Sequence, residues 1–148
     1  ICLSKGLGAP VGSVLVGDKS TIKHAKRVRK MLGGGMRQAG YLAAAGLFAL
    51  QNHVDRLKED HQRAKQIGSV VEKMNWIEDL MPVETNIIAF KPRPEAISSQ
   101  ALLDHLGAHD IHVSTFGPGY LRMVTHLHIT DEMVAQVNDV LNKVGALV

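Results

Sequence analysis

The sequence predicts an α/β protein in two parts, a mainly helical region over residues 1–80 and a small α+β domain over residues 81–148. Two observations predict this organisation. Apolar residues recur at spacings of three and four along residues 19–74, as they do on one face of a helix. After Pro82, by contrast, short apolar runs bounded by glycine and proline turns alternate with helical segments. We therefore place a domain boundary near residues 78–82.

The composition is that of a folded globular chain. Of its 148 residues, 45% are hydrophobic and 21% are charged, which argues against disorder. No apolar run reaches the roughly 20 residues of a membrane-spanning helix, and a single cysteine excludes a disulfide within the chain. The net charge of +3 is unevenly spread, because the segment from Lys19 to Arg37 holds seven basic residues and no acidic one.

The chain opens with a strand, a loop and a second strand. Ile1–Ser4 is a short apolar run that predicts the end of a strand, and Lys5 follows it directly. Three glycines and a proline then form a turn-rich loop before a second strand at residues 13–16. Because a strand begins at the first residue and no initiator methionine or targeting segment precedes it, we expect the chain to be a piece of a longer protein.

Three helices are expected before residue 80. The first starts near Lys19, combines an apolar stripe with a basic surface, and ends at Gly33–Gly35, where the backbone is free to turn. The second covers residues 36–52 and is so rich in alanine and glycine that we expect it to be buried. The third covers residues 54–74 and is amphipathic, with one charged face.

From about residue 82 onward, the elements follow the order β-α-β-β-α. Strands are expected at residues 83–90, 111–115 and 120–129, and helices at residues 97–106 and from about residue 131. Asp131 and Glu132 fit the first turn of the last helix, where negative charge is favourable. The strands are expected to form one small, largely antiparallel sheet.

Lys5 is the first candidate functional residue. The glycines after it match neither phosphate-binding pattern, because the lysine precedes the glycines and three residues separate Gly8 from Gly12. A lysine at the carboxyl end of a strand can form a Schiff base with an aldehyde when burial or nearby cations favour its neutral amine. The basic segment at residues 19–37 could supply such a cation or hold a phosphate. From the residues alone, an ordinary surface lysine is the alternative.

Three segments resemble one enzyme family, the low-specificity L-threonine aldolases. Residues 4–13 read SKGLGAPVGS, residues 30–40 read KMLGGGMRQAG, and residues 121–126 read LRMVTH. They stand in the family's order and at about its spacing, so that the resemblance covers essentially the whole chain. It implies the fold of type I enzymes of pyridoxal 5′-phosphate (PLP), with residues 1–80 as the remainder of the large cofactor domain and residues 81–148 as the small C-terminal domain.

The resemblance also implies a role for each candidate residue. Lys5 would hold PLP as a Schiff base, and Ser4 would touch its phosphate with the hydroxyl group. Arg37 would reach a phosphate as well, in a neighbouring subunit, and Lys30 would line the substrate site. Arg122 would bind the substrate carboxylate through two parallel hydrogen bonds. The alternatives are a local turn bond for Ser4, a solvated basic surface for Lys30 and Arg37, and a strand arginine paired with an acid for Arg122.

The implied reaction cleaves L-threonine or L-allo-threonine, or another β-hydroxy amino acid, to glycine and an aldehyde such as acetaldehyde. The implied assembly is a cytoplasmic homotetramer, built as a dimer of dimers. We expect no nucleic acid or membrane as a partner. The family's remaining site residues, including the group stacked on the PLP ring and the base for the β-hydroxyl, are expected before Ile1. The chain alone is therefore expected to be inactive.

Other interpretations stay open at this point. Another PLP-dependent lyase, such as a β-eliminating lyase, would use the same lysine and scaffold. A more distant alternative is a nucleic-acid-binding module that uses residues 19–37, although aromatic residues are only 4% of the chain. His126 and His128 would alternate on one strand face, but no spacing supplies a third zinc ligand, so we expect no metal site. Cys2 is expected to be a small buried apolar residue.

Overall fold

A computed structural model describes residues 1–144 of the chain. The chain divides into two compact units, Ile1–Leu57 and Lys58–Val148. This division lies earlier than residues 78–82, because apolar residues of the third helix, among them Ile67 and Val71, belong to the core of the second unit. The domain boundary near residues 78–82 stays a prediction.

The two strands expected at the start of the chain are reduced to one antiparallel bridge, between Cys2 and Ser13. The N–H of Leu3 donates to the Gly12 carbonyl at 2.9 Å, and the N–H of Val14 donates to the Ile1 carbonyl at 2.8 Å. The two segments therefore pair, but they do not form the expected strands, since residues 14–18 are irregular. A small core of Leu3, Leu7, Ala9 and Ala49, with Leu57 packed on it, lies under this loop.

Helices α1, α2 and α3 cover Lys19–Met31, Gly40–Asn52 and Leu57–Val71. Helix α1 begins and ends where the sequence predicts. Helix α2 begins later than residue 36, because Gln38 adopts a φ of 53°, which a helix does not allow. The expectation that α2 is a buried helix is wrong within the first unit, because its buried residues there are Gly46 and Ala49 alone. Helix α3 is shorter than residues 54–74 because turns flank it on both sides.

Asp18 caps helix α1. Its carboxylate accepts the N–H of Thr21 at 2.8 Å and the hydroxyl of Ser20 at 2.7 Å, and these bonds lower the pKa of Asp18 to about 2. A lowered pKa means that the carboxylate stabilises the fold fully above its unfolded value of 3.8, and that this contribution is lost as the pH falls through about 2.

We expect Asp18→Ala to fray the first turn of α1, because the N–H groups there lose their acceptor. Hydrogen exchange of the Thr21 amide should accelerate at neutral pH. Asp18→Asn keeps an acceptor and serves as the control, with exchange close to that of the original protein. Equal exchange in all three proteins would show that the cap does not hold the turn.

The second unit is a four-stranded sheet with two further helices. The strands are β1 (Ile77–Leu80), β2 (Ile87–Pro92), β3 (Ser114–Thr115) and β4 (Leu121–Val124), and helices α4 and α5 cover Ser99–Gly107 and Asp131–Val144. The strand order is β1-β2-β4-β3, and every neighbouring pair is antiparallel. The expected antiparallel sheet is therefore confirmed, with β1 as an additional edge strand.

Strand β4 stops well before residue 129, where the sequence predicted its end. The chain turns instead, and the N–H of Ile129 donates to the carbonyl of His126 at 2.8 Å. Thr125 marks the change of direction: it is buried, and its hydroxyl donates to the Asp60 carbonyl at 2.7 Å. This bond holds the end of β4 against helix α3.

Candidate functional site

Lys5 lies on a tight loop that is anchored on both sides. The N–H of Gly8 donates to the Lys5 carbonyl at 2.8 Å, and Leu3 and Leu7 bury their side chains in the small core of the first unit. The side chains of Ser4 and Lys5 are exposed. Among residues 1–144, the Lys5 amine has no hydrogen-bond or ion-pair partner. The loop therefore presents a primary amine on a fixed backbone.

His53, the residue after helix α2, makes a hydrogen bond to the backbone of this loop. Its Nδ1 lies 2.6 Å from the Leu7 carbonyl, which requires the Nδ1–H tautomer to donate. Its ring also packs edge-on against Phe48, with centroids 5.5 Å apart. His53 therefore has a structural role, because it holds the backbone that carries Lys5.

Cys2 differs from the expected buried apolar residue. Its side chain is only partly buried, and its Sγ lies 3.6 Å from the Ser4 hydroxyl. Hydrogen bonding to Ser4, and to a smaller extent the nearby Lys5 charge, lowers the pKa of the Cys2 thiol. The exposed Ser4 side chain thus makes one local contact, with the Cys2 thiol.

The glycine triplet joins Lys30 to the segment that carries Arg37. Gly33 has a φ of +79°, which ends α1 with a turn that residues with a side chain rarely adopt. The Lys30 ammonium lies over Gly35, since a Cβ there would approach Nζ to 2.7 Å. Arg37 is exposed at the start of the turn before α2. No carboxylate among residues 1–144 pairs with Lys30 or Arg37.

Arg122 lies on strand β4 of the second unit. Ala89 of β2 is its partner on one side and Ser114 of β3 its partner on the other. The Arg122 Nε donates to the Ser114 hydroxyl at 3.3 Å, and the guanidinium carbon lies 5.8 Å from the centroid of the Phe116 ring. Neither contact could be predicted from the sequence, because both depend on the register of a two-residue strand.

The alternative of an acid-paired Arg122 does not apply within the part of the chain that the structure describes, where no carboxylate pairs with it. Other cations do have such partners. Arg63 lies 2.8 Å from Asp131, and Lys91 lies 2.8 Å from Glu78. The Arg122 guanidinium therefore contacts Ser114 and Phe116, and no acid of residues 1–144 matches its charge.

The five candidate residues fall in both units. Ser4, Lys5, Lys30 and Arg37 belong to the first unit, and Arg122 belongs to the second. Among the described residues, no group of three or more histidine, cysteine or acidic side chains is placed to hold a metal ion. His126 and His128 lie in a turn rather than on one strand face, with ring centroids 5.7 Å apart. No helix of residues 1–144 has the length and apolar character needed to cross a bilayer.

Comparison with known proteins gives a family match and close relatives. The beta-eliminating lyase family model matches residues 1–93. A low-specificity L-threonine aldolase of Escherichia coli K12 is 44% identical over 93% of this chain. Low-specificity L-threonine aldolase 1 of Arabidopsis thaliana is 43% identical over 88% of the chain. The chain spans 39% and 37% of the length of these two relatives. The resemblance carried by the three sequence segments is thereby confirmed.

Solved structures extend the match to the fold. The omega transaminase of Pseudomonas jessenii superposes on 88% of this chain with a TM-score of 0.59, over 34% of its own length. An ornithine aminotransferase of Toxoplasma gondii superposes on 72% of the chain with a TM-score of 0.58, over 26% of its own length. The identities are 13% and 18%, so these likenesses show the fold alone. They confirm the predicted α/β fold, which this chain shares with part of each of the two structures.

Proposed function

Because the chain belongs to the beta-eliminating lyase family, we propose that it forms part of a PLP-dependent aldolase that cleaves L-threonine and L-allo-threonine to glycine and acetaldehyde. One observation carries the choice of reaction: the relatives that are 43–44% identical over most of the chain are named low-specificity L-threonine aldolases. The family match alone supports a lyase, and the relatives support the aldolase.

The residues of the first unit fit the cofactor by their chemistry. An aldehyde needs a free primary amine, and Lys5 offers an exposed amine without a partner among residues 1–144. A phosphate group needs hydroxyl and cationic donors, which Ser4 and Arg37 offer. Lys5 would hold the aldehyde carbon of PLP covalently, and Ser4 would hold the phosphate of the same molecule. Arg37 would hold the phosphate of a PLP in a neighbouring subunit. When bound, PLP supplies an electron sink for the charge left at the α carbon as the Cα–Cβ bond breaks.

The other residues act on the substrate. Arg122 binds the α-carboxylate with its planar guanidinium, and this contact fixes which bond of the α carbon is aligned for cleavage. Lys30 lines the substrate site and adds positive charge beside the glycine triplet. Lys5, which would hold the cofactor, would also supply the amine that moves a proton at the α carbon of the substrate. The base for the β-hydroxyl is expected elsewhere in the full-length protein.

Product analysis tests this proposal in the full-length protein. Threonine, allo-threonine and serine derivatives are supplied separately, and the products are identified. An aldolase releases glycine and an aldehyde. Ammonia with a keto acid would instead identify the protein as a β-eliminating lyase, the alternative that the matched family's description favours. That outcome would overturn the aldolase assignment and leave the cofactor role of Lys5 in place.

We also propose, from the family resemblance, that the protein acts in the cytoplasm as a homotetramer built as a dimer of dimers. Exposed apolar side chains of the first unit support an assembly. Those that are more than half exposed include Leu15, Val16, Met31, Leu32, Met36, Tyr41, Leu47 and Phe48. A surface of this kind is typical of an interface, either with the rest of the protein or with a second copy.

Arg37 connects the assembly to the cofactor in this proposal. If Arg37 binds a phosphate in a neighbouring subunit, cofactor affinity and assembly must be linked. We expect Arg37→Ala to lower PLP affinity roughly tenfold or more, the effect of losing a hydrogen bond to a charged group, and to favour smaller species on dilution. Cofactor titration and light scattering measure the two effects, with Arg27→Ala on the exposed surface of α1 as the control. A fully active monomer would exclude the shared site.

A further inference from the structure

The guanidinium of Arg122 can meet a carboxylate with either of two edges, the Nε–Nη edge or the edge of the two terminal Nη groups. We propose that Ser114 and Phe116 position Arg122 so that the terminal Nη edge binds the substrate carboxylate. This inference rests on the proposed function, because it assigns the geometry of the same substrate contact. Ser114 and Phe116 are positioning residues that act through Arg122.

The sheet register brings the three side chains together. Ser114 on β3 lies directly opposite Arg122 on β4, and residues opposite each other in an antiparallel pair share a face. Phe116 is two residues further along and returns to that face. The N–H of Phe116 donates to the Tyr120 carbonyl at 2.8 Å, which holds the start of the β3–β4 connection. The contacts to Arg122 thus follow from the backbone pairing rather than from the side chains alone.

Each contact occupies a different part of the guanidinium. The Ser114 hydroxyl accepts from Nε at 3.3 Å and therefore occupies the Nε edge. The Phe116 ring lies 5.8 Å from the guanidinium carbon, within the range of a cation–π contact. On the β2 side, Ala89 is buried and contributes only a methyl group. Since no acid among residues 1–144 pairs with Arg122, the terminal Nη groups are the ones left to bind an anion.

Ser114→Ala in the full-length protein tests the first contact. We expect KM for threonine to rise about three- to tenfold, because a long, exposed hydrogen bond to a charged group is worth less than a buried one. Both kcat and the absorbance of the bound cofactor should change little. Ser114→Thr keeps the hydroxyl and should restore KM. Thr115→Ala, at the neighbouring exposed position whose side chain points to the other face, is the matched control and should leave KM unchanged.

A double-mutant cycle shows whether Ser114 acts through Arg122. Binding of glycine, followed by the change in cofactor absorbance, should weaken in Ser114→Ala and in Arg122→Leu, with no additional loss in the double variant. A full additional loss would overturn the positioning role, as would an unchanged KM in Ser114→Ala or a failure of Ser114→Thr to restore it. If Arg122→Leu itself binds glycine normally, the carboxylate role in the proposed function fails instead. Phe116→Leu should also raise KM, and only while Arg122 is present.

Discussion

Replacing Lys5 with alanine is expected to abolish threonine cleavage in the full-length protein. The variant loses both the amine that holds the cofactor and the group that moves a proton at the α carbon. Loss of a positioned proton-transfer group alone costs about 10²–10⁴-fold in rate, so the combined effect should lie at or beyond the upper end of that range. The yellow colour of the lysine-bound cofactor should disappear as well.

The control for this variant is Lys23→Ala. Lys23 is also an exposed lysine of the first unit, but it lies on the surface of helix α1 and has no role in the proposed site. Its replacement should leave turnover and absorbance unchanged. Substantial aldolase activity in Lys5→Ala, with normal cofactor absorbance, would show that another lysine holds the cofactor and that the exposed loop at Lys5 has no catalytic role.

Replacing Arg122 with lysine is expected to have the second largest effect. Lysine keeps the positive charge but cannot form two parallel hydrogen bonds with a carboxylate. Loss of such a contact costs roughly 1.5–3 kcal/mol, which raises KM for threonine about ten- to hundredfold. The cofactor should still bind and absorb normally, because Arg122 is proposed to contact only the substrate.

Steady-state kinetics measure KM for threonine, and cofactor absorbance shows whether PLP is bound. Arg27→Lys, an exposed substitution of the same kind on helix α1, is the control and should have the kinetic constants of the original protein. Normal KM and kcat in Arg122→Lys would exclude the carboxylate role. Arg122 would then be a strand residue that contacts Ser114 and Phe116 and has no role in substrate binding.

The sequence predicts those elements best whose signals are local. Helix α1 has an apolar stripe and ends just before the glycine triplet, and both signals lie in the helix or within a few residues of it. Strand β1 has no comparable signal, because two of its four residues, Glu78 and Asp79, are acidic. It forms because it pairs with β2, across a turn that local patterns do not specify. The opening strands fail for the related reason that residues 14–18 have no regular strand pairing.

The same distinction holds for the candidate site. Three segments could be compared with the low-specificity L-threonine aldolases, and they contain Lys5, Lys30, Arg37 and Arg122. The surroundings of Arg122 could not be predicted in this way, because Ser114 and Phe116 reach it through the register of two short antiparallel strands. Likewise, the contact of His53 with the Leu7 carbonyl joins residues that are 46 positions apart. Such contacts depend on folding, and no motif in the chain indicates them.

The lysine that holds PLP can be identified by chemical trapping. Borohydride treatment of the full-length protein reduces a lysine–PLP Schiff base to a stable amine, and peptide mapping by mass spectrometry then finds the modified residue. We expect the adduct on Lys5, within the peptide that holds the exposed loop. An adduct on any other lysine would contradict this expectation, and so would a protein that takes up no PLP.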